Sequence, residues 1–363
     1  MRDRPGAGGM PGRGRAGEPG GARAVPVDQA VGLALAHDLT EVRHDGGKGA
    51  AFRRGHVIRA EDLPRLRRCG KEHVFILDLA ADELHEDEAA VRLAAALCGE
   101  GVSPFGEPRE GRVDLVASRD GLLKVDRDVL LAFNLIGEVM CATLHTNTLV
   151  RRGQRVAGTR AIPLVIGEAV VKEAVRRAGS GVIAVRELLR PRIGVVVTGS
   201  EVSRGLVQDR FGPLLERKAA ALGGGIIGVR IAPDDEGEIA SRLKELLAAG
   251  ANLLVATGGM SVDPDDRTRF AADRLGARDI VYGAAVLPGS MCLVAYLPVP
   301  GGEIPLVGLP ACALAHEATV FDLILPRLLA GERIGRRELA ELGHGGLCLR
   351  CERCDFPRCP FGR

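Results

Sequence analysis

Apolar runs alternate with amphipathic stripes from Arg192 onward, and this alternation restricts the possible folds more than any other feature of the sequence. "RIGVVVTGS" is an almost continuous β-branched run, as expected for a strand covered by helices on both faces. The later runs "GIIGVRI", "NLLVATGG", "MCLVAYL" and "IPLVGLP" are further strand candidates. Strands that alternate with helices indicate parallel pairing through right-handed crossovers. The fold class predicted for residues 190–333 is therefore α/β, as a three-layer α/β/α domain with a mostly parallel sheet.

The helices between these strands are indicated by apolar residues at helical spacing. The first stripe follows "RIGVVVTGS" and consists of Phe211, Leu214, Leu215, Ala219 and Leu222. Pro213 suits the start of this helix, and Gly223 suits its end. A second stripe lies in "DEGEIASRLKELLAAG", and a third amphipathic helix follows "GLP".

The rest of the chain divides into three parts by composition. Residues 1–24 contain eight glycines, three prolines and five arginines without periodicity, which is typical of a disordered tail. Residues 25–189 mix short helical and strand patterns, including the helix-like "VDQAVGLALAHDL", and predict a mixed α+β domain. Residues 334–363 predict a linker and a cysteine-rich, metal-binding tail.

Composition excludes several classes of function. The net charge is only +2, and the chain has no Trp and two Tyr, so little favours nucleic-acid binding. No apolar run approaches the roughly 18 residues that cross a bilayer, and the first residues lack the apolar core of a signal peptide. We expect a cytoplasmic protein without nucleic-acid or membrane partners.

Three glycine-bearing loops each leave a predicted strand: "TGSE" (198–201), "TGGMS" (257–261) and "GLP" (308–310). The carboxyl ends of parallel strands meet at one sheet edge, where ligands usually bind. Paired glycines let the backbone approach a ligand and turn amide groups toward an anion such as phosphate, although one such loop alone is equally compatible with a tight turn. The predicted ligand-binding residues are Thr198, Gly199, Glu201, Thr257, Gly258, Gly259, Ser261, Gly308 and Pro310.

Acidic residues follow two of the strand ends: Asp263, Asp265 and Asp266 after one, and Asp234 and Asp235 after another. Bare carboxylates repel phosphate, but Mg²⁺ held by one or two carboxylates together with phosphate oxygens converts that repulsion into binding. We predict Asp266 and Asp234 as magnesium ligands and as catalytic residues.

The other acids are better explained as helix caps. Asp235 with Glu238 matches a capping box, and Asp265 precedes the helix-like "DRTRFAADRL". Asp209 lies near the start of another predicted helix. We expect capping at these three positions.

Four segments resemble a known family: "RIGVVVTGSEV", "APDDEGEI", "NLLVATGGMSVDPDD" and "GLP" before a long helix. Their order and spacing resemble the molybdenum-cofactor biosynthesis domain shared by molybdopterin adenylyltransferases and molybdopterin molybdenumtransferases. Upstream, "GHVIRAEDLPRLRRCG" and "GQRVAGTRAIPLVI" resemble the amino-terminal part of the molybdenumtransferases. The resemblance implies that the loops hold a pterin and its phosphate, that Asp266 acts at the magnesium site, and that Asp234 matches the acid of the "PDD" motif.

The resemblance also implies a reaction and its partners. Molybdate would replace the adenylyl group on the dithiolene of adenylated molybdopterin and release AMP, in a homodimer that serves a molybdoenzyme or other cofactor-assembly proteins. Where the molybdenumtransferases usually have "GLPGNP", however, this chain has "GLPACA". Two alternatives therefore stay open: a non-catalytic carrier or redox sensor for the cofactor that uses the cysteine cluster near the carboxyl end, and a nucleotide pyrophosphatase.

Four cysteines near the carboxyl end form one motif. Cys348, Cys351, Cys354 and Cys359 have the spacing C-x2-C-x2-C-x4-C, whereas the other five cysteines are scattered singly. A proline follows the last cysteine, similar to the bacterial ferredoxin run, which has three residues rather than four before it. Zinc also accepts four thiolates, usually from two separated pairs. The motif predicts a [4Fe–4S] cluster or Zn²⁺.

Overall fold

The computed structural model of the protein describes residues 22–42, 48–77, 79–259 and 267–362. Two compact units are present. The first comprises the described residues up to 119 with 124–144 and 151–185, and the second comprises 120–123, 145–150 and the described residues from 186 onward. None of the helices in the described ranges is long and apolar enough to cross a membrane.

Short strands and helices alternate irregularly up to residue 186. The strands are β1 (Ala22–Pro26), β2 (Leu39–Val42), β3 (Lys48–Phe52), β4 (His73–Leu77), β5 (Glu83–His85), β6 (Val102–Arg109), β7 (Arg112–Ala117), β8 (Gly121–Val125), β9 (Val139–Thr143), β10 (Leu149–Val150), β11 (Arg155–Ala161), β12 (Val165–Gly167) and β13 (Ile183–Arg186). The α-helices are α1 (Leu63–Arg68), α2 (Glu86–Leu97), α3 (Arg127–Asn134) and α4 (Glu168–Ala178). In the first unit, β6, β7, β11 and β9 form one antiparallel sheet in that order.

The helix-like pattern at the start of the first unit does not form an α-helix. Residues Val27–Gln29 form a single 3-10 turn, and Leu39 already begins β2. Gly32 adopts a φ of 86°, which no right-handed helix accommodates. The apolar residues of this segment instead join the core of the first unit, where Val27 and Leu35 are almost completely buried.

Glu86, the first residue of α2, makes the stability of the first unit dependent on pH. The pKa of its carboxyl is raised from 4.5 to about 7, mainly by burial and to a smaller extent by the negative charge of Asp87. Because the folded pKa exceeds the unfolded one, the contribution of Glu86 to stability is fully present below pH 4.5 and is lost as the pH rises to about 7. We expect Glu86→Gln to raise the free energy of unfolding by about 2 kcal/mol at about pH 8 and to change it little at about pH 4. Urea unfolding followed by circular dichroism checks this; equal effects at both pH values would contradict it.

The second unit contains one six-stranded sheet with helices on both faces. Its further elements are β14 (Arg192–Thr198), α5 (Ser200–Ser203), α6 (Phe211–Ala220), β15 (Gly225–Ala232), α7 (Glu236–Ala248), β16 (Leu253–Thr257), α8 (Thr268–Arg274), β17 (Arg278–Tyr282), β18 (Leu293–Val299), β19 (Gly302–Leu309), α9 (Val320–Leu329) and α10 (Arg336–Glu341). A 3-10 turn occupies Ala311–Leu314. The strand order is β15-β14-β16-β19-β18-β17.

Two apolar clusters fill the two faces of this sheet. On one face, alternate residues of β14 and β16 pack with side chains of α6 and α9, among them Leu215 and Phe321. On the other face, the intervening strand residues pack with α7 and α8, among them Leu243 and Ala271. The sheet is therefore the middle of three layers, as the apolar strand runs predicted.

The predicted sheet is mostly parallel but mixed, because one of its six strands, β18, runs against the other five. β15, β14, β16 and β19 are parallel neighbours, whereas β18 pairs antiparallel with both β19 and β17. β18 and β19 form a hairpin whose turn lies between Val299 and Gly302, with Gly301 at a φ of 88°. The short "VPGG" segment leaves no room for a crossover helix, so the second strand returns beside the first.

Candidate functional site

The predicted ligand loops leave the same edge of the sheet at nearly the same level. In the register of the parallel strands, Thr198 pairs with Ala232, Val197 with Thr257, and Thr257 with Leu309. The loops after β14, β15, β16 and β19 therefore begin side by side. We call this edge of the second unit the loop edge.

Threonine hydroxyls connect two of these loops. The buried Thr198 donates a hydrogen bond from its hydroxyl to the carbonyl oxygen of Thr257 at 2.8 Å. Thr268, the first residue of α8, donates from its hydroxyl to the carbonyl oxygen of Gly258 at 3.0 Å. Thr268 is not among the predicted ligand residues, and no motif in the sequence marks it, because its hydroxyl bonds to a loop rather than capping its own helix. These bonds hold the ends of β14 and β16 and the start of α8 together.

Gly258 and Gly259 have backbone conformations that only glycine adopts easily. Their φ angles are 80° and 57°. A Cβ atom on Gly258 would lie 2.6 Å from the carbonyl oxygen of Thr198, and one on Gly259 would lie 2.7 Å from the hydroxyl of Thr268. The backbone after β16 is therefore packed against its neighbours and presents no side chain at these two positions.

The other predicted ligand residues lie at or beside the loop edge. Gly199 has a φ of 143°. A Cβ atom placed on it would lie 3.1 Å from a carboxyl oxygen of the exposed Glu201. Gly308 is buried inside β19, and the partly exposed Pro310 directly follows the end of that strand. Ser261 lies outside the described residues.

Of the two predicted acids after β15, Asp235 is a helix cap and Asp234 is a half-buried carboxylate. Asp235 accepts a hydrogen bond from the backbone N–H of Glu238 at 2.9 Å and caps α7, as predicted. Asp234 is half-buried between the end of β15 and α7. Asp263, Asp265 and Asp266 lie outside the described residues.

The prediction that Asp209 is a cap is also confirmed. Its Oδ1 accepts hydrogen bonds from the backbone N–H groups of Phe211 at 2.7 Å and Gly212 at 3.2 Å. These are the first two residues of α6. Asp209 therefore stabilises the start of that helix.

Comparison with known proteins assigns the part of the chain that carries the loop edge. Residues 194–330 match the family model described as a probable molybdopterin binding domain. These residues lie in the second unit, and we refer to them as the molybdopterin-binding domain after the family model that they match. The match confirms the resemblance of residues 190–333 and does not extend to the two upstream segments. Residues 24–78 match a separate family model, described as a domain of unknown function (DUF8806).

Curated relatives match a shorter stretch. The chain is 36% identical over 95 residues to a CinA-like protein of Mycolicibacterium vanbaalenii and 36% identical over 90 residues to one of Mycobacterium leprae. These matches cover 26% and 25% of this chain but 22% and 21% of the relatives. The chain thus spans about a fifth of the length of the curated relatives that it matches.

Among solved structures, the chain is similar to the tungsten cofactor synthesizing protein MoaB from Pyrococcus furiosus. The match has 18% identity and a TM-score of 0.33, and covers 40% of this chain and 98% of that one. It is also similar to the protein CinA from Thermoplasma acidophilum, with 16% identity and a TM-score of 0.33, over 38% of this chain and 96% of that one.

Thr257 gives the molybdopterin-binding domain a buried polar atom at the loop edge. Its hydroxyl is fully buried and has no hydrogen-bond partner among the described residues. An unpaired buried hydroxyl costs roughly 1–3 kcal/mol unless a ligand or water satisfies it. It is therefore a candidate contact for a bound ligand.

We expect Thr257→Val to leave the free protein as stable as the wild type, or about 1 kcal/mol more stable, while weakening pterin binding severalfold. The valine keeps the shape of the threonine and replaces its hydroxyl with a methyl group. Urea unfolding and ligand titration measure the two effects separately. Unchanged affinity would show that the hydroxyl does not contact the ligand.

The four-cysteine tail lies after the molybdopterin-binding domain. Cys348 and Cys359 are partly buried, whereas Cys351 and Cys354 are exposed. All four line one cavity of about 250 Å³, together with Ala315–Ala318 and Phe361. We call it the cysteine cavity.

The predicted metal sites are not preformed around a single point. Within the described ranges, no three His, Cys, Asp or Glu side chains are placed so that they could hold one metal ion. The four thiols thus border a common space without converging, and Asp234 does not belong to a cluster of described metal-binding side chains. That the four cysteines of the tail hold a [4Fe–4S] cluster or Zn²⁺ therefore stays a prediction.

Proposed function

We propose that residues 190–333 bind adenylated molybdopterin at the loop edge and that the protein acts in molybdenum-cofactor biosynthesis. In this proposal, molybdate replaces the adenylyl group on the pterin dithiolene and AMP is released. The observation that carries the proposal is that four neighbouring strands of the molybdopterin-binding domain end at the same level of the sheet, with two positive-φ glycines after β16.

The loop edge supports phosphate binding through its backbone. Gly258 and Gly259 take φ angles of 80° and 57°, and successive residues in such conformations can turn their backbone amide groups toward an anion such as phosphate. The hydrogen bonds of Thr198 and Thr268 fix this backbone before a ligand arrives. A site organised in advance binds with a smaller loss of entropy and can fix the phosphoanhydride for cleavage.

Magnesium belongs to the proposal, with Asp234 and Asp266 as its protein ligands. Mg²⁺ usually takes one or two carboxylates and completes its shell with phosphate oxygens and water, so it does not require a cluster of three protein ligands. Asp234 fits this requirement because it follows β15 at the loop edge. Bound there, the ion would offset negative charge on the leaving phosphate.

An AMP-release assay tests the proposed function. The full chain is mixed with adenylated molybdopterin and magnesium, with or without molybdate, and AMP is followed over time. Molybdate-dependent release is the expected result. Release that ignores molybdate, or equal activity on ordinary dinucleotides, would indicate a nucleotide pyrophosphatase instead.

We expect Asp266→Asn to retain pterin binding and to lose AMP release by at least about tenfold, because the amide keeps the size of the side chain but removes the charge that holds the cation. Asp234→Asn should act in the same direction. Asp235→Asn is the matched control, since an asparagine still caps α7. Unchanged AMP release in Asp266→Asn would remove that residue from the mechanism.

A second candidate function is that of a non-catalytic cofactor carrier or redox sensor. The observation that favours it is the 3-10 turn Ala311–Leu314, which places Cys312 two residues after Pro310 at the loop edge. Tight pterin binding without AMP release would support this alternative. For either function we propose a cytoplasmic homodimer that delivers the cofactor to a molybdoenzyme or another assembly protein.

A further inference from the structure

The cysteine cavity brings together all four cysteines of the tail motif, although their side chains come from a segment without helix or strand. The tail from Cys348 to Gly362 follows α10 and forms only bends and turns. Such a segment of charged and small residues needs additional contacts to hold one conformation. The contacts that are present fix the two ends of the tail and leave the cysteine loop between them.

The first end is fixed to the connection between β17 and β18. The backbone N–H of Cys348 donates to the carbonyl oxygen of Leu287 at 2.8 Å, and the N–H of Leu287 donates to the carbonyl oxygen of Gly346 at 2.8 Å. At the other end, Gly362 donates its N–H to the carbonyl oxygen of Gly345 at 2.9 Å. The tail therefore closes a loop on itself.

Aromatic residues hold the closed loop against the core of the second unit. Phe361 is only 3% exposed and belongs to the apolar cluster between the sheet and α9. Phe356 packs against Phe361 edge to face, with ring centroids 6.1 Å apart. The four cysteines are spaced along the segment between these anchors, which keeps their backbones around the cysteine cavity.

The backbone near Cys348 already interacts with its sulfur. The N–H of Arg350 donates to Cys348 Sγ at 3.5 Å, and Arg350 adopts a φ of 54°, a left-handed conformation that is unfavourable for arginine. Backbone N–H groups directed at cysteine sulfur stabilise thiolate ligands and tune the potential of iron–sulfur centres. The strained turn thus directs a donor at a sulfur that could serve as a ligand.

We propose that the four cysteines hold a [4Fe–4S] cluster in the cysteine cavity. Four thiolates that bind one zinc ion lie about 2.3 Å from it and leave no space among them. These four thiols instead line one cavity of about 250 Å³, which gives an inorganic core of several atoms enough space. The four thiols would each lose a proton on binding iron, and the arginines of the tail, among them Arg350 and Arg353, would offset part of the resulting negative charge.

The position of the cavity connects it to the loop edge. Ala315–Ala318 line the cavity, and they directly follow the 3-10 turn Ala311–Leu314 that begins after Pro310. Thr319 then caps α9. A cluster in the cavity would therefore brace the segment between Pro310 and α9, and we expect cluster loading to slow amide hydrogen exchange in residues 311–318.

Anaerobic reconstitution of the full chain tests this proposal. Ferric chloride, sodium sulfide and dithiothreitol are supplied; four ferric ions take up two electrons from one dithiothreitol, which closes to its disulfide, and combine with four sulfides. We expect about four iron and four sulfide per chain, and broad visible absorption that dithionite bleaches. Less than one iron per chain, or full loading with zinc in competition with iron, would overturn the proposal.

Variants show whether the bound iron sits in the cysteine cavity. Cys351→Ser/Cys354→Ser changes two exposed thiols, so the fold should survive, and tyrosine fluorescence checks that it does. This variant should lose at least three quarters of the bound iron and the slowed exchange in residues 311–318. Cys69→Ser, which changes a partly exposed thiol outside the tail, should keep both. Equal iron in the tail variant and the wild type would place the metal elsewhere and overturn the proposal.

Discussion

Asp322→Ala is expected to destabilise the second unit by about 3–4 kcal/mol, because one side chain supports both an ion pair and a helix start. Asp322 Oδ1 accepts from Lys218 Nζ at 2.5 Å, and the two side chains are only 14% and 12% exposed. Its Oδ2 also accepts from the backbone N–H of Thr319 at 2.8 Å and completes the capping box of α9. Removing the carboxylate leaves a mostly buried ammonium without its counter-charge.

Tyrosine fluorescence during urea unfolding measures this loss in the second unit alone. The chain has no Trp, and its two tyrosines, Tyr282 and Tyr296, both belong to the second unit. The signal therefore excludes the first unit, whose separate unfolding would complicate a global probe.

Two matched variants separate the causes of the Asp322 effect. Asp322→Asn keeps an acceptor for Thr319 and loses the charge, so we expect a smaller loss of about 2 kcal/mol. Lys218→Met in the Asp322→Ala background removes the unpaired charge and should recover about half of the lost stability. An Asp322→Ala effect below about 1 kcal/mol would show that water already satisfies both groups.

Gly258→Ala is expected to weaken pterin binding by more than about tenfold and to destabilise the second unit by about 2–4 kcal/mol. The new Cβ would lie 2.6 Å from the carbonyl oxygen and 2.8 Å from the hydroxyl oxygen of Thr198, which itself is hydrogen-bonded to Thr257. The loops after β14 and β16 cannot both keep their positions. The change therefore disturbs the backbone that we propose to hold the phosphate.

Gly223→Ala is the matched control for this variant. Gly223 has a φ of 78°, close to the 80° of Gly258, but a Cβ there would meet nothing within 4 Å. It should lose only the conformational term of about 1 kcal/mol and keep full pterin affinity. If both variants had the same affinity, close packing of the loop edge would not matter for binding.

The sequence predicted the elements of the second unit because they are encoded by short-range patterns. The β-branched run at 192–198 forms the buried β14, and the stripe from Phe211 forms α6 as far as Ala220, with Gly223 three residues beyond its end. The caps Asp209 and Asp235 were likewise recognisable, because a capping side chain bonds to the backbone two or three residues away.

Other features depended on contacts between residues far apart in sequence. The helical pattern of residues 27–39 was overridden by packing in the first unit, and the direction of β18 followed from a hairpin that apolar content alone does not specify. The approach of Thr198 to Gly258 joins residues 60 positions apart, and the unpaired hydroxyl of Thr257 depends on every neighbour around it.

The sequence by itself determined the strand and helix segments, the helix caps, the family resemblance of residues 190–333 and the spacing of four cysteines. The tertiary structure alone decided that four strand ends lie level, that the sheet is mixed, and that the four thiols border one cavity without meeting. Periodicity and capping act within a few residues, whereas strand direction and the distances between loops are set by packing of the whole unit.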